Sequence, residues 1–243
     1  MARDFNGTTD YVEIDNSPTY GTSYTVSCWV KVDPANTSSP FIHRAKTAEQ
    51  AIPFQIDFNA NKFRIVVRDS AGVGISASSV TSITTNVWLS LCAIRNGNNV
   101  EVFFNGVSDG TGSGTLGTLN SLPDGPAIGA FFLASGTPNS YFKGHIAECA
   151  IWNVVLSDNE IASIAAGVKA NRIRPHSLLA YIPIIGTSPE VDMAGTGMTT
   201  TIFGTPARSN HAPVSIYASK QETASYVENL PLNACINDYL IPV

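Results

Sequence analysis

Apolar and polar residues alternate along much of the chain, which is the pattern of strands that bury one face. The clearest segment, YTVSCWVKV at 24–32, places Val26, Cys28, Val30 and Val32 between Ser27, Trp29 and Lys31. Similar segments recur at short intervals, with turn residues between them. This spacing predicts an all-β protein, in which two antiparallel sheets form a sandwich.

Turn signals place several of these strands in hairpins. Asn59-Ala60-Asn61 separates PFQIDF from KFRIVVRD, and Asn96-Gly97 separates VWLSLCAIR from NNVEVFFNGV. Asn-Gly is a strong signal for a tight hairpin turn, and Asn105-Gly106 repeats it. Residues 108–126 are so rich in Gly, Ser and Thr that they predict a long surface loop.

One segment, near residues 157–167, has the pattern of a short helix instead. Ser157 and Glu160 form a capping box at its start, and a glycine ends it. Ile161 and Ile164 give the helix one apolar face. Because so short a helix is unstable alone, we expect this face to pack against the sandwich.

Composition excludes several classes of protein. Only 14% of the 243 residues are charged, the net charge is −5, and no block of Lys and Arg indicates nucleic-acid binding. No apolar run is long enough to span a membrane, and the N-terminus lacks the apolar region of a signal peptide. These patterns predict synthesis in the cytosol, without membrane insertion.

The cysteines are spread over the whole chain, without the C-x-x-C spacing of a zinc site. They are Cys28, Cys92, Cys149 and Cys235. The first three lie in apolar strand patterns, so we expect buried, reduced thiols that act as small apolar side chains.

Four segments, in order, resemble the laminin-G-like, concanavalin A-like jelly-roll domains of lectins and glucanases. They are FNGTTDYVEI (5–14), YTVSCWVKVD (24–33), NVWLSLCAIRNGNNVEVFFNGV (86–107) and GHIAECAIWNVVLSDNEIASI (144–164). The resemblance covers about residues 1–167 and implies a jelly roll, of the type found in bacteriophage structural proteins. The short helix is then the one that follows the last strand of the family.

The order of segments differs from the family after residue 167. Residues 178–207 resemble a segment that many such domains carry before the first strand. Either they add strands to the same sandwich, in a permuted arrangement, or they begin a second, truncated unit. We predict the first option, with a jelly-roll core at 1–167, additional strands at 168–207 and a C-terminal arm at 208–243.

Sequence motifs for catalysis or metal binding are missing. A glycosidase needs paired carboxylates, whereas Glu148 and Asp57 stand singly in strand patterns and are expected to be half-exposed. The histidines are scattered: His43, His145, His176 and His211. Ala147 stands where the family often has an Asp that is sometimes linked to calcium or to structural bonding, so calcium stays an open alternative that no motif supports. We predict no catalytic residue, cofactor or metal ligand.

Aromatic residues are the candidates for a binding site. Three tryptophans are candidates for a sugar-stacking platform, although at least two are expected in the core: Trp29, Trp88 and Trp152. Three tyrosines are expected in exposed loops: Tyr20, Tyr141 and Tyr217. The sequence gives no geometric reason to choose among them, so the ligand-binding residues stay undetermined.

The first functional hypothesis is a non-enzymatic structural or interaction protein of a phage virion, such as a capsid decoration, head-fibre or tail-associated protein. Its expected partners are other virion proteins, copies of itself and host-surface glycans, but neither nucleic acid nor a membrane. The second hypothesis is a carbohydrate-binding lectin module or adhesin of a bacterial surface. A glycosidase is a third hypothesis, which the missing carboxylate pair disfavours.

Overall fold

The computed structural model describes residues 1–36, 38–43, 51–119, 122–133 and 136–214. These residues form the strands β1 (Ala2–Asn6), β2 (Tyr11–Ile14), β3 (Ser23–Val32), β4 (Phe41–His43), β5 (Ile52–Asn59), β6 (Lys62–Arg68), β7 (Gly74–Ser82), β8 (Trp88–Asn96), β9 (Asn99–Phe104), β10 (Val107–Ser113), β11 (Ala127–Ile128), β12 (Ala130–Phe132), β13 (Pro138–Tyr141), β14 (Lys143–Trp152), β15 (Leu178–Ile182), β16 (Thr200–Phe203) and β17 (Ala207–Ser209). They also form one α-helix, α1 (Asp158–Ala165), and short 3-10 turns at Ala170–Arg172 and Pro175–Ser177.

The strands build two antiparallel sheets, as the sequence predicts for a jelly-roll sandwich. The first sheet has the order β10-β9-β8-β3-β14-β1-β17, and β15 also pairs with β14. The second sheet has the order β16-β2-β11-β4-β5-β6-β7, and β12 and β13 form a small separate hairpin. All three predicted turns, at 59–61, 96–97 and 105–106, join neighbouring strands.

The core lies between the two sheets and follows the alternation of the sequence. On β3, Val26, Cys28, Val30 and Val32 belong to the inter-sheet core. Trp29 instead belongs to a cluster on the other face of the first sheet. Burial of such a continuous apolar layer is the main stabilising contribution to a sandwich.

Helix α1 confirms the predicted capping box. The Ser157 N–H donates to Glu160 Oε2 at 2.8 Å, and Ser157 is the N-cap residue. Ile161 and Ile164 are buried in a cluster with Trp152, on the outer face of the first sheet. Within the described residues, no helix combines the length and apolarity needed to cross a lipid bilayer.

The loop predicted at 108–126 is wrong in its first part, because β10 begins at Val107 and continues to Ser113. Its backbone pairs with β9 on one side. Gly110 and Gly112 let the other side approach β7 closely, since an added Cβ would lie 2.1 Å and 2.0 Å from the carbonyl oxygens of Ser78 and Ser76. The glycines therefore serve close backbone packing between the two sheets.

Residues after the helix contribute to both sheets. β15 and β17 pair with β14 and β1 of the first sheet, whereas β16 pairs with β2 of the second.

The predicted arm at 208–243 is described only as far as residue 214. Cys235 and Tyr217 lie outside the described residues, and the other cysteines, Cys28, Cys92 and Cys149, are free and buried as predicted.

Candidate functional site

A row of four side chains crosses the outer face of the first sheet. The strand register places Trp88 beside Lys31, Lys31 beside His145, and His145 beside Asp4. These residues lie on β8, β3, β14 and β1, so three inter-strand spacings separate the ends of the row, a length of roughly 14 Å. The row therefore presents an aromatic ring, an amine, an imidazole and a carboxylate on adjacent strands.

The row borders an open cavity of about 320 Å³. It is lined by Lys31, Trp88, His145, Ser209 and Asn210. The ring centroids of Trp88 and His145 are 6.1 Å apart, with an angle of 51° between the planes. His145 Nδ1 lies 2.9 Å from Ser209 Oγ and 3.9 Å from Asp4 Oδ1. Strand β17 thus closes one side of the cavity through Ser209.

The partly buried position of His145 favours the neutral form of its imidazole. Burial lowers the pKa of His145 below its ordinary value and outweighs the opposite effect of Asp4. A neutral imidazole carries one donor and one acceptor nitrogen. Together with the Lys31 ammonium group and the Asn210 amide, it offers donors and acceptors beside a half-buried indole ring, and the Asp4 carboxylate continues the row beyond the cavity. This combination suits a polar ligand with one apolar face.

The other two tryptophans are core residues, which confirms that at least two of the three pack in the interior. Trp152 is 0% exposed beneath α1, and its Nε1–H donates to the Ile173 carbonyl at 2.8 Å. Trp29 is 5% exposed and packs against Ala147 and Ala212. Residues 212–214 thus cover the part of the sheet face next to the row. Trp88 is the only one of the three tryptophans that lines the cavity beside the row.

The tyrosine candidates are less exposed than the sequence predicts. Tyr20 is half-buried, because its ring packs on the core and its hydroxyl lies 2.7 Å from His43 Nδ1. Burial raises its pKa. Tyr141 is half-buried in the β12–β13 hairpin, 6.1 Å from the ring of Tyr11 on the second sheet, which itself stacks on Phe203 at 4.3 Å. The third candidate, Tyr217, lies outside the described residues.

The two single carboxylates are buried, so the expectation that they are half-exposed is wrong. Glu148 is 5% exposed because it lies at a bulge in β14, where His211 Nε2 is 3.0 Å from Oε1 and the Tyr181 hydroxyl donates to Oε2. Asp57 is 7% exposed because Arg64 binds both of its oxygens, at 2.8 and 2.6 Å. The two carboxylates belong to different sheets and do not face a common substrate.

Metal binding finds no support in the described residues, where no three His, Cys, Asp or Glu side chains lie close enough to hold an ion. Ala147, at the position where the family often has Asp, is fully buried and has no ligand atom. The residues present therefore do not fit a calcium site at this position.

Sequence analysis did not identify Asp4, Lys31, His145 and Ser209 as members of a site. Lys31 could have been found from the alternation of β3, because it shares the face of Trp29. The neighbours on β14, β1 and β17 follow only from strand register, which pairs residues far apart in sequence.

A protein-family model matches more than half of the chain. The Laminin_G_3 family model, described as the concanavalin A-like lectin/glucanases superfamily, matches residues 6–162. No curated protein sequence matches the chain.

Solved structures with the same fold have low sequence identity to the chain. A candidate carbohydrate-binding protein from Bacteroides ovatus has a TM-score of 0.60 and 16% identity, over 89% of this chain and 61% of that chain. The heptameric SAP-like pentraxin from Limulus polyphemus has a TM-score of 0.58 and 16% identity, over 83% of this chain and 93% of that chain.

The CBM40 of the IT-sialidase from Ruminococcus gnavus, bound to α2,3-sialyllactose, has a TM-score of 0.55 and 15% identity, over 68% of this chain and 98% of that chain. At these identities the similarity establishes the jelly-roll fold alone.

Proposed function

The chain belongs to the concanavalin A-like lectin/glucanases superfamily, and we propose that it is a non-catalytic carbohydrate-binding protein that holds glycans at the row of Trp88, Lys31, His145 and Asp4. The observation that carries this proposal is the half-buried Trp88 ring beside a line of polar groups, in an open cavity on a sheet face. Carbohydrate-binding neighbours with the same fold support it.

Each group in the row has a defined part in this proposal. The indole ring of Trp88 supplies the apolar surface on which one face of a sugar ring can lie. Lys31, His145 and Asp4 supply donors and acceptors at the spacing of adjacent strands, which suits hydroxyl groups along a sugar chain. The His145–Ser209 contact fixes the orientation of the imidazole. The buried environments of Glu148 and Asp57 support a binding function without hydrolysis.

Replacing Trp88 tests the site. A glycan array identifies a bound glycan, and calorimetry then compares the wild type with Trp88→Ala. We expect affinity for that glycan to fall by about tenfold or more, equivalent to at least about 1.4 kcal/mol, because the stacking surface is removed.

Tyr141→Ala is the matched control, since it removes a half-buried aromatic ring from the β12–β13 hairpin, outside the row, and is expected to leave glycan affinity unchanged. Thermal unfolding of both variants shows whether each is folded. A folded Trp88→Ala protein that binds the glycan as tightly as the wild type would exclude this site, and an array without any bound glycan would exclude the function.

The finer proposal is that the protein is a virion component, such as a capsid decoration, head-fibre or tail-associated protein, that presents its glycan site to a host surface. Support comes from the low fraction of charged residues and from the abundance of Ser, Thr, Asn and Gly. Structural proteins of a virion assemble as symmetric copies, so this proposal requires an oligomer.

Light scattering coupled to size-exclusion chromatography tests that requirement on the full chain and on a chain ending at Val214. We expect the full chain to have a mass that is a multiple of the chain mass. A monomer at all accessible concentrations, together with glycan binding, would favour the alternative of a lectin module or adhesin of a bacterial surface.

A further inference from the structure

A second cavity, of about 530 Å³, lies at the end of the sandwich opposite to the Trp88 row. It is lined by residues 20–22, Arg95 and residues 116–119. Trp88 begins strand β8 and Arg95 lies near its end, so the two cavities are separated by roughly 20 Å along one strand. The second cavity is therefore a separate place on the molecule.

Arg95 is the unusual member of this cavity, because it is only 3% exposed. Its Nε–H donates to the Gly97 carbonyl at 2.9 Å, and its guanidinium carbon lies 5.9 Å from the centroid of the Tyr24 ring. Its Nη1 is buried without a hydrogen-bond partner. Among the described residues, no carboxylate lies within 4.0 Å of its guanidinium group, whereas both Arg3 and Arg64 have such partners.

A buried guanidinium in this state is energetically costly. Arginine keeps its charge at any pH that the folded protein experiences, so it cannot become neutral to relieve the cost. A charge removed from water without a counter-ion, and an N–H without an acceptor, both destabilise the fold. A bound anion that accepts a hydrogen bond from Arg95 would supply both missing partners.

The walls of the cavity are already fixed by hydrogen bonds. The Gly97 N–H donates to the Thr22 carbonyl at 2.8 Å, which holds the wall formed by residues 20–22. The Gly117 N–H donates to Asp69 Oδ2 at 2.7 Å, which holds the opposite wall. A cavity with fixed walls binds a ligand without the entropic cost of ordering them.

We propose that this cavity binds a small molecule through a carboxylate group, which pairs with the Arg95 guanidinium while the rest of the molecule lies against Tyr20, Leu116 and Leu119. A carboxylate matches the planar fork of arginine and carries the single negative charge that one guanidinium neutralises. A dianion would leave an excess negative charge beside the wall held by Asp69. The carboxylate can come from an acidic sugar or from an aliphatic acid, and the cavity is independent of the proposed glycan site.

Calorimetry at constant ionic strength tests the proposal with D-glucuronate, hexanoate, D-glucose and sulfate as separate probes. We expect saturable binding of at least one carboxylate, and about tenfold or more weaker binding to Arg95→Gln. Binding of glucuronate alone identifies an acidic sugar as the source, and binding of hexanoate alone identifies an aliphatic acid. Arg172→Gln is the control, because it removes the same charge from an exposed residue outside the cavity and should leave affinity unchanged.

A measurement on the wild type keeps the test valid if Arg95→Gln does not fold. The Arg95 Nε–H resonance, assigned by NMR, should shift on addition of the carboxylate that binds. Three results would overturn the proposal: no saturable carboxylate binding, equal affinity in folded Arg95→Gln, or sulfate binding as tight as that of the carboxylates.

Discussion

At the scale of single residues, Asp69 ties the loop after β6 to the segment that lines the Arg95 cavity. Its Oδ1 accepts hydrogen bonds from the N–H groups of Ala71 and Val73 at 3.0 and 2.8 Å, and its Oδ2 accepts the one from Gly117. The bond from Gly117 is the largest cause of a pKa below the ordinary value of this side chain, with burial acting in the opposite direction. The ionised form is therefore the one that the fold stabilises.

This lowered pKa predicts how stability depends on pH. A carboxyl with a depressed pKa in the folded state contributes stability that is fully present above its unfolded pKa of about 3.9 and is lost as the pH falls through the folded pKa. We expect Asp69→Asn to be less stable than the wild type at pH 7, and to lose less stability between pH 5 and pH 2.

Urea unfolding across that range measures both effects. Asp15→Asn is the control, because it removes an exposed carboxylate of the same type and should retain the pH dependence of the wild type. If Asp69→Asn and the wild type had parallel pH profiles, the assigned contribution of Asp69 would be excluded.

The inward position of Arg95 could be predicted from the sequence, whereas the cavity around it could not. In the apolar run WLSLCAIR, Arg95 has the same parity as the inward-facing residues Leu89, Leu91 and Ala93. Alternation alone therefore places a charged residue toward the interior, a conflict between pattern and residue type that is expected at functional or strained positions. The cavity around it depends on residues 20–22 and 116–119, whose approach to Arg95 no local pattern predicts.

At the scale of elements, helix α1 and the hairpins were predictable because their signals are local. The helix has its cap and its apolar face within a few residues, and each hairpin has its turn between two alternating strands. Strand β10 was predicted as a loop because a glycine-rich segment is locally typical of a loop. The role of its glycines, close backbone packing against β7, depends on a strand distant in sequence. Strand β7 is itself missing from the sequence-based predictions, since its Ser-rich segment lacks the apolar residues of a typical strand.

At the scale of the whole molecule, the residues after α1 close the sandwich. Strand β14 has β3 on one side, and on its other side β1 pairs with its first half and β15 with its second. Ile182 and Ile184 are fully buried in the inter-sheet core. Glu190 accepts a hydrogen bond from Arg3 Nε at 2.5 Å in a buried ion pair, so the segment between β15 and β16 is tied to the first strand.

This arrangement predicts the outcome of truncation, which also tests the proposed division into a core at 1–167 and additional strands at 168–207. A chain ending at Ser177 would expose half of the β14 edge and would remove Ile182 and Ile184 from the inter-sheet core. We therefore expect the truncated chain to lack a cooperative unfolding transition in circular dichroism.

Two control proteins separate the effect of the missing strands from the effect of the weakened ion pair. A chain ending at Val214 retains every strand named above and should unfold cooperatively. Glu190→Gln keeps all the strands but weakens the ion pair, so it should unfold cooperatively at a lower temperature than the wild type. Cooperative unfolding of the chain ending at Ser177, at the temperature of the wild type, would instead mean that residues 1–177 form a complete unit and that the strands after α1 are an addition to it.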